Sequence, residues 1–254
     1  MFQNLVTGDV FALAFVFARV GAVMMLLPGF GEVFVSARVR LVLAFAITIV
    51  ITPAVNSSIP ALPDGPMGML TILGREMAIG LFLGGLTRIM IAALHTAGTI
   101  MGFQSSLANA QQFDPVNSTQ GSLVGTFFNI LGVFLIFMSD LHHMMLMAVA
   151  DSYQVFQPGE PLPIGDFAET AIRTLSDSFL LAMQIASPLI VMGMLFYLGL
   201  GLLARLMPQV QVFFIAIPIQ IGLAFMVMAV SLSAGMMWFL DSFQGKFQGI
   251  LLAG

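Results

Sequence analysis

Apolar residues in this 254-residue chain gather into about six long runs, separated by short polar or proline-rich breaks. The runs extend from Val10 to Leu27, Leu41 to Val55, Met67 to Met101, Ser122 to Ala150 and Phe179 to Ala204, with a sixth ending at Leu240. A helix needs about 20 apolar residues to cross a hydrocarbon core of about 30 Å, and the third run, at about 1.5 Å per residue, predicts a helix about 50 Å long. Pro28-Gly29 stops the first run, and Pro53, Pro60, Pro63 and Pro66 crowd the connection after the second. The acidic connection from Asp151 to Asp177 holds Pro158, Pro161 and Pro163. Proline has no backbone donor and disfavours helix at the residue before it, so these stretches predict turns. The fifth and sixth runs meet across Arg205-Leu206-Met207-Pro208-Gln209, a connection short enough to predict an antiparallel hairpin. Pro188 and Pro218 lie inside those runs and predict breaks in them. The pattern is all-α: about six long apolar helices in kinked hairpins.

Composition turns that pattern into a solvent assignment. Only 8% of the residues are charged and 59% are hydrophobic, whereas a soluble domain carries about 25% charged residues. The chain reads as an integral membrane protein in contact with lipid. Its net charge of −4 includes no basic cluster, which argues against nucleic acid and against a polybasic lipid anchor. Cysteine is absent, excluding disulfides and thiol chemistry. The opening MFQNLVTGDV has no positive region and leads to no small-residue cleavage site, so the first apolar run is expected to stay in the mature protein. Arg38, Arg40 and Arg205 fall on one side of a six-span arrangement, which the positive-inside rule places in the cytoplasm. Small residues recur four apart at Gly80 and Gly84, Gly98 and Gly102, and Ser231 and Gly235, a spacing that lets apolar helices approach closely.

One stretch breaks the pattern most sharply. Gly98 to Ser122 lies between two of the longest apolar runs, yet it is rich in amides, hydroxyls and small residues. It lies within an interval without Lys or Arg, between Arg88 and Arg173, and so has no charge attraction to phosphate. A neutral polar segment at membrane depth needs protein or water around it. Phe113 is its large apolar ring, set directly before Asp114-Pro115, a pair that can begin a turn and aim the ring. Such a ring can work as a steric gasket in a conduit; it can equally be a buried Phe in an ordinary loop.

Other chemistry is thin. His142-His143 with Asp140 is the one candidate metal cluster, but neighbouring helical residues point about 100° apart and do not easily face one ion. No nucleophile elbow, phosphate loop or dinucleotide fingerprint occurs, and the twenty methionines are scattered as gap-fillers are. No enzyme activity, metal or cofactor is expected. Arg19, Arg88 and Asp140 lie in or near apolar runs and are candidate buried charges, either a relay or structural, as in a pair of Arg88 with Asp140.

Three stretches together resemble a known family: PGFGEVFVSARVRLVLAFAIT, GFQSSLANAQQFDPVNSTQGS and ARLMPQVQVFFIAIPIQIGLAF. They are similar to the FliR family of type III secretion export-gate proteins, and the resemblance covers essentially the whole chain. It implies a subunit of the export gate at the flagellar basal body in the bacterial inner membrane. There the chain would assemble with FliP and FliQ into a helical cone that unfolded substrates cross, with FlhB and FlhA as neighbours and lipids around it. Its first part, residues 1–178, would be FliP-like and its last, 179–254, a FliQ-like hairpin with a tail. The apolar helices then need not each span the bilayer. The family's plug loop falls on residues 106–119, with Phe113 as the narrowing aromatic. Asn109, Gln111, Gln112, Asp114 and Pro115 lie around it, the two glutamines standing where further aromatics are common. Arg205, Pro208 and Gln209 match the hairpin turn and would meet a partner or a headgroup. The injectisome version of the gate is the alternative within the family. A self-sufficient ion or solute transporter is the alternative outside it, and would need ligands at broken helices or related halves.

Overall fold

The computed structural model describes every residue except 1, 57–58, 64, 108–121, 159, 208–211 and 253–254. Among the described residues there are seven helices: α1 (Phe2–Leu26), α2 (Ala37–Val55), α3 (Pro66–Gln104), α4 (Leu123–Met138), α5 (Leu141–Val155), α6 (Ile164–Leu206) and α7 (Val212–Leu252). The fold is all-α, with no strand among the described residues. Five helices are long and apolar enough to cross a membrane, or six if α4 and α5 count as one broken span.

Helix ends follow local chemistry. Gly29, at φ 82, takes the left-handed conformation that stops α1 and that a side chain would resist. Ser36 caps α2, its hydroxyl accepting from the Val39 N–H at 3.4 Å. The loop between them is tied down by Arg40, which donates to the carbonyls of Phe30 (3.1 Å) and Glu32 (3.0 Å). Pro66 opens α3, where its missing N–H costs nothing.

Three expectations need correction. The connection from Asp151 to Asp177 is not turn throughout: α5 runs to Val155 and α6 starts at Ile164, directly after Pro163. The run from Ser122 to Ala150 is not one helix: α4 and α5 meet at 77° across Ser139-Asp140. Asp140 has φ 58, so the chain turns there through a conformation helices cannot use, and His142 stacks back on Phe137 with ring centroids 4.8 Å apart. Conversely, Pro188 and Pro218 do not end their helices; α6 runs for 43 residues and α7 for 41. One lost hydrogen bond is tolerated in a long helix packed against a neighbour.

The chain divides into two compact units. The first comprises residues 1–90, 136–174 and 243–254. Its core gathers Phe15, Val16, Val20 and Met24 from α1, Ile79 and Leu86 from α3, and Met145, Val149 and Tyr153 from α5. α3 closes on α1 at the predicted glycine pair: a Cβ on Gly80 would collide with the Arg19 carbonyl, and one on Gly84 would stand 2.8 Å from the Leu26 Cβ.

The second unit comprises residues 91–135 and 175–242. Leu94, Ala97 and Met101 of α3, Phe128 of α4, Ala182, Ile185 and Leu189 of α6, and Ala224 and Phe239 of α7 fill it. A Cβ on Gly98 would stand 2.6 Å from the Gly125 Cα, so α3 and α4 touch backbone to backbone. A Cβ on Gly235 would stand 3.2 Å from Ile185, and Tyr197 meets Gln220, so later residues of α7 meet earlier residues of α6 and the two run antiparallel.

Candidate functional site

The polar stretch singled out in the sequence joins α3 to α4 in the second unit, and its described ends form a compact polar mount. An α-helix leaves its last carbonyls without intrahelical donors. At the end of α3 the Gln104 carbonyl receives a substitute: the Gln220 side-chain amide of α7 donates to it at 2.7 Å. The same amide donates to the Tyr197 hydroxyl of α6 at 3.3 Å. Its carbonyl oxygen accepts from the Ser106 hydroxyl at 2.9 Å. Gln220 is only 2% exposed, so both ends of a buried amide are satisfied by three other residues. Ser106 itself has φ 60, the point where the chain leaves the helical path. Ser105 donates back to the Gly102 carbonyl at 3.0 Å. Gly193 of α6 leaves room for the Gln104 side chain, which a Cβ there would strike.

The far end returns to the same helix. Ser122 caps α4 by accepting from the Gly125 N–H at 3.0 Å, and its hydroxyl reaches the Gly98 carbonyl at 3.4 Å. The described flanks of the stretch, Ser106 and Ser122, are thus both held by hydrogen bonds, to Gln220 and to the Gly98 carbonyl. Asn109, Gln111, Gln112, Phe113, Asp114 and Pro115 lie outside the described residues, as do Pro208 and Gln209. Arg205 is exposed in the last turn of α6.

Of the candidate buried charges in the first unit, Arg19 is buried and Arg88 and Asp140 are not. Arg88 is 45% exposed at its side chain and pairs with Glu32 at 2.6 Å, not with Asp140. Asp140 is 78% exposed and lies 3.5 Å from the His143 Nδ1. The fully buried cation is Arg19. It grips Glu76 through two bonds, Nε to Oε2 at 2.7 Å and Nη2 to Oε1 at 3.1 Å. It also donates to the Ser152 hydroxyl at 2.9 Å and the Phe156 carbonyl at 3.2 Å. The Tyr153 ring lies 3.8 Å beneath the guanidinium carbon. Planar, forked and permanently charged, an arginine suits this arrangement, which joins α1, α3 and α5.

Donor atoms of Asp140, His142 and His143 approach within 4.8 Å of one another. The two imidazoles stand 4.0 Å apart, closer than adjacent positions on a regular helix suggest, because His142 is drawn back onto Phe137 at the α4–α5 bend. The cluster is largely exposed, as uncoordinated acidic surface groups commonly are.

Sequence reasoning missed Gln220, Tyr197 and Glu76 as participants. Gln220 carried a signal: it is the one amide or charged side chain between Val212 and Leu240, and a polar group in so apolar a helix needs a partner. Glu76 carried no comparable signal, since it stands 57 residues from the arginine it pairs with.

Comparison with known proteins adds an end-to-end match. The model of the family "Bacterial export proteins, family 1" matches residues 10–245. The flagellar biosynthetic protein FliR of Caulobacter vibrioides is 36% identical over 231 residues, 91% of this chain and 92% of that one. The Bacillus subtilis protein of the same name is 30% identical, covering 87% and 86% respectively. The surface presentation of antigens protein SpaR of Salmonella typhimurium is 26% identical over 84% of this chain and 79% of its own.

Proposed function

The chain belongs to family 1 of the bacterial export proteins, and from that premise we propose that it forms and gates the conduit of the flagellar type III export apparatus, through which unfolded substrates cross the inner membrane. The observation that carries this is the 36% identity with a flagellar biosynthetic protein across nine-tenths of both chains. The weaker match to SpaR, at 26%, ranks the injectisome second. The chain works as conduit and gate, and performs no chemistry of its own.

FliP and FliQ are its partners in a closed hetero-oligomer, with FlhB and FlhA beside it. Residues 1–178 take the FliP-like place and 179–254 the FliQ-like one. Support for covering partners comes from the surface: Val191, Met194, Leu195, Leu198 and Leu202 of α6 are all more than half exposed. Lipid or neighbouring helices must cover such a face. Residues 106–119 form the gate, with Phe113 as its gasket and Asn109, Gln111, Gln112, Asp114 and Pro115 shaping it. Support here is indirect: the described flanks Ser106 and Ser122 are held by Gln220 and by the Gly98 carbonyl. Arg205, Pro208 and Gln209 form the contact at the hairpin turn.

The test is the intact mass of the protein in mild detergent after co-expression with its genomic neighbours. One copy inside a larger hetero-oligomer is expected. A monomer or homodimer that never joins those neighbours would reject the gate and return the transporter reading. In the assembled complex, Phe113→Ala is then expected to raise leakage of small ions, and unchanged conductance would remove Phe113 from the role.

A further inference from the structure

We propose that Asp140, His142 and His143, at the α4–α5 bend, form a binding site for a divalent transition-metal ion such as zinc. Two imidazoles and a carboxylate suit zinc, nickel or copper, whereas magnesium and calcium ask for oxygen ligands.

Three observations point to a ligand. The first is a bond that Asp140 does not make. It stands at the N-cap of α5, where an aspartate ordinarily accepts from a backbone N–H of the first turn, yet its side chain makes no cap hydrogen bond. Its Oδ1 lies instead 3.5 Å from the His143 Nδ1. The second is an unanswered nitrogen. The Nδ1 of His142 is buried and has no hydrogen-bond partner among the described residues. A proton on it would meet no acceptor, and a lone pair would meet no donor. A water or an ion is the usual explanation of such an atom, and the adjacent carboxylate and imidazole favour the ion. The third is spacing. Two donors bound to one zinc, each about 2.0–2.1 Å from it, stand about 3.3 Å apart at a tetrahedral angle. The carboxylate and the His143 nitrogen are already close to that separation, and donors of all three residues lie within 4.8 Å of one another. Closing the remainder takes rotation of the Asp140 and His143 side chains, both exposed, so it disturbs no packing.

His142, by contrast, is held in place. Its ring stacks on Phe137, which Phe30 flanks and which fills the space beside Gly29, where a Cβ would strike it. One fixed imidazole and two adjustable ligands make a site that is partly organised in advance. The surroundings favour ligation as well. Sixteen residues of α4 precede the bend and fifteen of α5 follow it, and ionisable groups amid such apolar helices are costly unless paired or ligated. Exposed carboxylates alone are common without an ion, but two of these three ligands are imidazoles. Three protein ligands leave a position open to water. By joining the corner residue to the first turn of α5, the ion would fix the 77° angle between the helices.

The test is a calorimetric Zn²⁺ titration of the co-expressed complex, purified on a tag without histidine and stripped with chelator. One ion per copy of this chain is expected at this site. Asp140→Asn and His143→Gln should each weaken its binding by at least roughly tenfold. His95→Gln, which removes the remaining histidine, in the second unit, should leave it unchanged. Both altered ligands are exposed, so without metal the variants should match the parent in yield and melting temperature, while Zn²⁺ raises the melting temperature of the parent alone. Co²⁺ gives a second reading: the parent should show the visible absorption of an ion bound by imidazole, and the two ligand variants should lose it. Equal Zn²⁺ binding by the parent and both ligand variants would overturn the site. Loss of the ion in His95→Gln would also overturn it, by placing the metal elsewhere. If the ligand variants fail to assemble, the cobalt spectrum of the parent decides, and an ion held by oxygen alone rejects the proposal.

Discussion

An arginine with no exposed surface, in a helix built for apolar surroundings, has to be neutralised where it stands. Arg19 is neutralised by Glu76 and held by Ser152, the Phe156 carbonyl and the Tyr153 ring, so one side chain pins three helices. Removing one partner strands the other as a buried charge. Arg19→Met and Glu76→Met are each expected to cost about 3–5 kcal/mol, while the double variant costs less than the two single costs added together. Thermal unfolding in detergent of the four proteins measures this, and simple additivity would show that the pair does not act as a unit. Arg19 was conspicuous in the sequence as a cation inside an apolar run. Its partner was not, because 57 residues separate them and only packing decides which acid arrives. The same reasoning explains Arg88: a helix face can be read from spacing, but Glu32, waiting in a loop 56 residues earlier, cannot.

At the scale of elements, contact in lipid gains little from burying one apolar group against another, so close backbone approach and shared polar groups carry the packing. Gly98 shows this most clearly. A side chain there would stand 2.6 Å from the Gly125 Cα and 2.7 Å from the Val124 carbonyl, both backbone atoms that cannot swing away. Gly98→Val should therefore part α3 from α4 and destabilise the protein by more than about 2 kcal/mol. Gly199, inside α6 with nothing near its Cβ position, offers the contrast. Gly199→Ala should stabilise the isolated chain by up to about 1 kcal/mol through helix propensity alone. Melting temperatures of the two variants in detergent check both, and equal effects would mean that contact distance is not what sets the glycines apart. The spacing of Gly80 with Gly84 and of Gly98 with Gly102 made these contacts readable in advance. The bend at Asp140 was not readable, since Ser139-Asp140 interrupts an apolar run without a proline or glycine, and its conformation is settled by the stacking of Phe137 on His142. Pro188 and Pro218 misled in the opposite sense, because a long helix against a neighbour absorbs one missing hydrogen bond.

Over the whole molecule, helix length and surface chemistry disagree with a simple bilayer protein. α6 and α7, with 43 and 41 residues, are each about 60–65 Å long, roughly twice the hydrocarbon thickness. Exposed apolar side chains run along α6 from Phe179 through Val191 and Leu195 to Leu202, whereas its first turns carry the exposed Glu169 and Arg173. Tilt within the bilayer shortens the reach of a helix only modestly. Lipid or a neighbouring protein covers that face. The hydrophobic pattern gave the all-α class but not these lengths, since α6 begins at Ile164, inside the connection read as turns, and α7 runs past Leu240; nor can it distinguish lipid from a neighbouring helix, since both ask for the same side chains. Photo-crosslinking separates them. A benzophenone side chain placed in turn at positions 172, 179, 191, 195 and 202 of the co-expressed complex should form adducts with other polypeptides at several positions, spread over more of α6 than one bilayer leaves free. Adducts with lipid alone at all five would mean that α6 lies wholly in the membrane, and would remove the physical argument for an assembly raised around it.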